Sequence, residues 1–174
     1  SSGNLAGSEA EMGVKVDVSA LKDFKQRLET LTDSQVDAFM NRAVRECANW
    51  LLSLVIPRTP VGKVHGGTLR RGWLNNTGNQ AGKGAGTNVS ASQITARANS
   101  MNVERGKRGG YSVTVTNPVY YASYVEYGHR QTPGRYVPAI GKRLVKSWVE
   151  GQHFLKLSEE ELREIAPEML EELL

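Results

Sequence analysis

From Thr32 to Val55 the apolar residues Val36, Phe39, Met40, Ala43, Val44, Cys47, Leu51, Leu54 and Val55 recur at helical intervals, which a helix gathers onto one side. Thr32 and Gln35 stand at capping-box spacing at its start. Pro57 cannot donate a backbone hydrogen bond and disfavours helical geometry in the residue before it, so the helix is expected to stop at or just before Ile56. A helix this long, apolar along one side, must have other elements laid against it.

The rest of the chain supplies them. Val14, Val16 and Val18 alternate with Lys15 and Asp17, the period of a half-buried strand, and Ser19 then caps a helix carrying Leu21, Phe24, Leu28 and Leu31. Gln93 to Ala98 has weak strand character. Tyr111 to Thr116 is a better strand, with Tyr111, Val113 and Val115 on one face, and Lys107 to Gly110 reads as the turn between the two. Tyr120, Tyr121, Tyr124, Val125 and Tyr127 fit a short helix closed by Gly128. Val137, Ile140, Leu144, Val145 and Trp148 suit a strand pair or a short helix equally. Phe154 to Leu157 reads as extended, and Ser158 with Glu161 reads as a second capping box opening an acidic helix over about 158–174, which Pro167 should kink or divide. The fold class is α+β: a small antiparallel sheet packed against a long N-terminal helix and further helices, with a long Gly-rich loop.

At 174 residues the chain suits one domain, burying roughly 70% of the surface its unfolded form exposes. Residues 1–11 are rich in Ser, Gly, Ala and Glu and read as an expression remnant or loose tail, leaving 12–174 as the domain. The stretch from Asn75 to Thr87 cannot bury enough apolar surface to offset its ordering entropy, so about 75–108 is a mobile loop or one that orders against a partner. No run of about 18 apolar residues and no secretory start is present, which favours a soluble, intracellular protein. A single cysteine, Cys47, excludes an intrachain disulfide.

Nothing in the sequence assembles a reaction. Gly82-Lys83-Gly84-Ala85-Gly86-Thr87 places glycine where a phosphate loop needs Ser or Thr for magnesium. His65, His129 and His153 lie in dissimilar contexts without metal-ligand spacing, and Cys47 falls on an apolar helix face, where a thiol is inert. Glu126 sits among aromatic residues with no second group for acid catalysis; a partner among Arg70, Arg71 and Arg135 explains it better. The chain is therefore expected to be no enzyme, with no catalytic residues, cofactor or metal.

Charge is segregated. Nine Lys and Arg residues between Arg58 and Arg108 face one acid, Glu104, whereas 159–174 carries seven glutamates and one arginine. This suits a nucleic acid, an acidic partner, or one subunit's tail lying on its neighbour's middle. Tyr120, Tyr121, Tyr124 and Tyr127 fit a core edge or a subunit interface equally well. Arg70 and Arg71 beside Trp73 keep open a second reading, a nucleic-acid-binding protein using 58–108, although one ring is not a series of stacking platforms.

Two segments carry a resemblance. Thr59-Pro60-Val61 followed by Gly67-Thr68-Leu69-Arg70-Arg71, and Val119-Tyr120-Tyr121-Ala122 with Tyr124-Val125-Glu126-Tyr127-Gly128, resemble the tail-component family of tailed bacteriophages, whose members are described as tail-completion, neck or minor tail proteins. The similarity extends from about Met12 to the C-terminus, including Phe154-Leu155-Lys156-Leu157-Ser158 before the acidic helix. The family's pattern usually reads Thr-Pro-Val, an acid, Thr-Gly, any residue, Leu-Arg; here Gly62 to Gly66 intervenes and the acid is missing. The resemblance implies an α+β virion subunit of a head-proximal tail ring, assembled in the host cytoplasm and acting in tail completion and head-to-tail joining. Its partners would be copies of itself, with a hexamer favoured, the tail tube or tail terminator, and a head-side connector. It implies no small-molecule substrate and no membrane, and leaves room for proximity to packaged DNA. Arg70, Arg71, Trp73, Tyr120, Tyr121, Tyr124, Glu126, Tyr127 and Arg135 are the assembly candidates, and Arg70 or Arg71 is expected to meet Glu126, within or between subunits.

Overall fold

The computed structural model describes residues 12–17, 29, 31–62, 66–74 and 88–174. The periodic segment forms a 26-residue helix, α1 (Asp33–Arg58), opened by the expected capping box of Thr32 and Gln35. The helix does not stop at Ile56 but runs through Pro57. The carbonyl that Pro57 leaves without an amide belongs to Ser53; both residues are exposed, where solvent is at hand, and Thr59 N resumes the ladder onto Val55 O at 2.9 Å. Ala43, Val44, Cys47, Ala48, Leu51, Leu52, Val55 and Ile56 are buried along one side, each fully covered Val or Leu contributing roughly 1.5–3 kcal/mol.

Against that side lie three layers of partner. Strands β1 (Met12–Asp17), β2 (Glu104–Arg105) and β3 (Tyr111–Asn117) form an antiparallel sheet in the order β1-β3-β2, with Met12 opposite Asn117 and Val16 opposite Val113. The central strand β3 buries Tyr111, Val113, Val115 and Asn117 and packs on α1. The turn expected at 107–110 is present, with Gly109 at φ 80°, but it joins β3 to the two-residue β2. Residues 93–98 are helical rather than extended. After the short helix α2 (Thr68–Gly72), they fall within α3 (Ala91–Ser100), whose start is a capping box of Ser90 and Gln93. That cap and the alanines outweigh the strand preference of Ile94 and Thr95, and α3 buries Ile94 and Ala98 against α1.

The third layer is α5 (Phe154–Glu172), reached after α4 (Ala122–Tyr127), which closes at Gly128 with φ 86° as expected. Phe154 to Leu157 is already helical, and Ser158 is not a cap: its hydroxyl donates to Phe154 O at 2.7 Å inside the helix. Pro167 does not divide α5, because Pro167 and Arg163, whose carbonyl loses its amide, both face solvent. Between α4 and α5 the chain makes paired strands, β4 (Gly128–Arg130) with β7 (Trp148–Glu150) and β5 (Tyr136–Val137) with β6 (Lys142–Arg143), and the last pair is joined through a 3-10 turn at Pro138–Ile140. Both readings offered for Val137 to Trp148 are thus realised in part.

The helix expected from Ser19, His65, residues 1–11 and residues 75–87 lie outside the described residues. The rest of the loop expected over about 75–108 is not irregular throughout: it holds α3 and β2. Among the described residues no helix is long and apolar enough to cross a membrane.

Candidate assembly surface

The end of a helix leaves carbonyls without amides, and the first motif segment is built around that need at α1. Arg70, on α2, donates from Nε to Thr59 O at 2.7 Å and from Nη2 to Pro57 O at 2.9 Å, and its charge opposes the helix dipole there. Trp73, 0% exposed, donates its indole N–H to Thr59 Oγ1 at 2.9 Å, and that hydroxyl donates to Val55 O at 2.7 Å. From the sheet, buried Asn117 donates from Nδ2 to Leu69 O at 2.8 Å and accepts from Val119 N at 3.2 Å. Gly72 leaves Asn117 its place: a Cβ at 72 would overlap Asn117 Oδ1.

The second segment performs the opposite task at α5. The residue preceding that helix, His153, sits at φ 51° and offers no side-chain cap. Glu126, 1% exposed, supplies it from 29 residues earlier: Oε2 accepts from Leu155 N at 2.9 Å and Oε1 from Lys156 N at 3.0 Å. A carboxylate on the positive end of a helix makes charge-assisted bonds. The backbone joins in, with Glu126 O accepting from His153 N and Val125 O from Gln152 N. Trp73 meets Phe154 edge to face at 6.3 Å, and Arg58 bonds Ser158 and pairs with Glu161, so the end of α1 and the start of α5 form one junction.

The expected meeting of Glu126 with Arg70, Arg71 or Arg135 is not made within the subunit. Two backbone amides, of Leu155 and Lys156, satisfy the Glu126 carboxylate, Arg70 is committed to the opposite helix end, and Arg135 lies exposed in the β4–β7 region. The two segments meet instead at Tyr121, beside Thr68 and Arg71; burial pushes the Tyr121 phenol up, while a hydrogen bond from Thr68 and the Arg71 charge act against that. Arg71 also donates to Gly66 O at 3.4 Å.

What faces outward is different. Tyr120, Tyr124 and Tyr127 are exposed; Tyr120 stands edge-on to Tyr121 at 5.1 Å, and Tyr124 leans on His129 at 5.8 Å. Beyond them the strands from 128 to 150 form one long hairpin. Its ladder continues between the two strand pairs through Gln131 N to Ser147 O and Gly134 N to Leu144 O, both 2.8 Å. No residue from 127 to 153 is buried. Cross-strand register puts Arg130 opposite Trp148 and Tyr136 opposite Arg143. Of this arm only Arg135 was an assembly candidate in the sequence, and Val137 to Trp148 stayed open between a strand pair and a short helix; the turn markers Pro133-Gly134 and Gly141, spaced along a stretch rich in Arg and Lys, are the signal for a hairpin.

Among the described residues no three His, Cys, Asp or Glu are grouped to hold a metal. Cys47 is buried, its thiol pushed up to about 12 by burial and secondarily by Glu46, which holds it neutral and unreactive. Trp73 has no exposed face on which a base could stack, which removes the one ring the nucleic-acid reading invoked.

Motif residues that brace helix ends, beside tyrosines and a cationic hairpin turned outward, define a structural subunit of the kind that assembles through its surface. A family model described as "Bacteriophage HK97-gp10, putative tail-component" matches residues 22–128. The chain belongs to this family and is a structural component of bacteriophage tails. The match contains both motif segments and ends at Gly128, where the arm begins, a narrower span than the resemblance from Met12 to the C-terminus. No curated protein and no solved structure gives a significant match. As a tail component the protein resides in the virion and contacts other phage structural proteins.

Proposed function

We propose that this tail component completes the tail and joins it to the head, acting without catalysis as one subunit of a ring at the head-proximal end. The family match carries the reading: it spans Arg70, Trp73 and Glu126, which brace the junction of α1 and α5, together with the exposed Tyr120, Tyr124 and Tyr127, and the arm beyond it adds further surface for neighbours. The ring is assigned six copies, with the tail tube or tail terminator on one face and a head-side connector on the other. Arg71, Tyr120, Tyr124, Tyr127 and Arg135 are its contact candidates. Arg70, Trp73 and Glu126 support it from inside the subunit. Phage lacking the protein should accumulate filled heads and separate tails, or tails of wrong length or finish. Infectious, fully joined particles formed without it would overturn the proposal, and ring images or native mass measurement would test the copy number.

A further inference from the structure

We infer that the hairpin arm of one copy lies along α5 of the next copy. This rests on the ring reading and names the surfaces that would close it. A two-stranded hairpin is marginally stable alone in water, and here it stands with no buried residue and both edges open, so it needs a surface to cover it. Its chemistry limits that surface. Arg130, Arg135, Lys142, Arg143 and Lys146 face one acid, Glu150, and among them Tyr136, Ile140, Trp148 and Val145, the last 86% exposed, offer apolar contact. A phosphate backbone would satisfy the cations and leave the apolar groups wet.

The complementary surface is present in the same chain. Glu160, Glu164, Glu168 and Glu172 are all exposed and recur every four residues, so they form one stripe along α5, flanked by exposed Leu157 and Leu174. Among the described residues no ion pair reaches these four: Arg58 takes Glu161 and Arg163 takes Glu159. Like charges at this spacing destabilise a helix, a cost that an incoming cationic strand removes. Dimensions agree. The stripe spans about 18 Å at 1.5 Å per residue, and the arm from Arg130 to Val137 spans roughly 23 Å at 3.3 Å per residue. An arm on one surface and an acceptor helix on another make a head-to-tail contact, which generates a ring when the rotation closes.

The test is a Lys142→Cys, Glu164→Cys double variant treated with a short bismaleimide. The native thiol, Cys47, is buried and protonated, so the two introduced cysteines are the reactive ones. A ladder of covalent dimers and higher multiples is expected, both in purified phage tails and in the assembled protein. Protein that is incorporated in tails yet yields monomer alone, an internally looped monomer, or an adduct with a different virion component overturns the arm pairing while leaving the tail-joining reading intact. A ladder from a protein that joined particles do not require sustains the pairing and removes the joining role. As a second readout, Glu164→Lys with Glu168→Lys should lower ring yield about tenfold, and adding Arg135→Glu with Lys142→Glu should restore it; folded protein showing no restoration overturns the pairing.

Discussion

Trp73 donates its indole N–H to Thr59 Oγ1 at 2.9 Å, and both groups are fully buried. The same hydroxyl donates to Val55 O, so one threonine ties an indole to the last turn of α1. Thr59→Val keeps the shape and strands the indole N–H, at an expected cost of about 1–3 kcal/mol in chemical unfolding. Trp73→Phe added to that variant should cost less than it does in the wild-type background, because no donor then remains unpaired. Additive costs in this double-mutant cycle would show that the bond contributes nothing of its own.

Glu126→Gln should destabilise by about 2 kcal/mol, because one carboxylate oxygen becomes an amide that cannot accept from a backbone N–H. The readout that isolates the cap is hydrogen exchange: the Leu155 and Lys156 amides should lose protection ahead of the rest of α5. Unchanged protection at these two amides would refute the capping role.

Gly72→Ala adds a methyl that must displace Asn117 or Val119, and about 1–3 kcal/mol is the expected loss. Gly109→Ala is the contrast. Its Cβ would meet open space, so only the strain of φ 80° remains, about 1–2 kcal/mol. In the folded Gly72→Ala variant the displaced Asn117 should also weaken its bond from Nδ2 to Leu69 O, visible as a shift of its side-chain amide resonances.

Cys47 gives a pH dependence with a definite sign. Burial, with Glu46 adding, raises its thiol from 9.0 to about 12, so folding favours the protonated form. The resulting stability is fully present below pH 9 and is lost as pH rises from 9 through about 12. Tyr111, raised first by its hydrogen bond to Asp37 and then by burial, acts in the same alkaline direction. Cys47→Ala should flatten part of the alkaline loss of stability measured by urea titration. At neutral pH native Cys47 should resist thiol reagents and react on unfolding; rapid native labelling would contradict its burial.

Much of the body was legible because its signals are local. The spacing from Val36 to Val55, the Thr32 and Gln35 box and the alternation in Tyr111 to Thr116 each act within a few residues, and each element stands where the pattern places it. The ends of elements were harder, since Pro57 and Pro167 fall on exposed helix faces with Ser53 and Arg163 also exposed one turn back, a property of the packed helix pair. The start of α5 was misread for a similar reason: its cap comes from Glu126, not from a neighbouring residue. The same distance hid the partners of Arg70 and Glu126, which a sequence presents as an ion pair and the fold assigns to two opposite helix termini. Ser90 and Gln93 were a local signal that strand preference at Ile94 obscured.

Both legs of the arm are anchored at one place. The outgoing strand leaves at Gly128, two residues after Glu126, and the returning strand ends at Glu150, after which Gln152 and His153 bond Val125 and Glu126. A pull on the hairpin tip is therefore delivered to the adjacent residues Val125 and Glu126, the second of which also secures the first turn of α5. In a tail carrying mechanical load, force arriving through the arm would pass by way of Glu126 into the helix pair, and the buried carboxylate would act as the rivet between a lever and its frame.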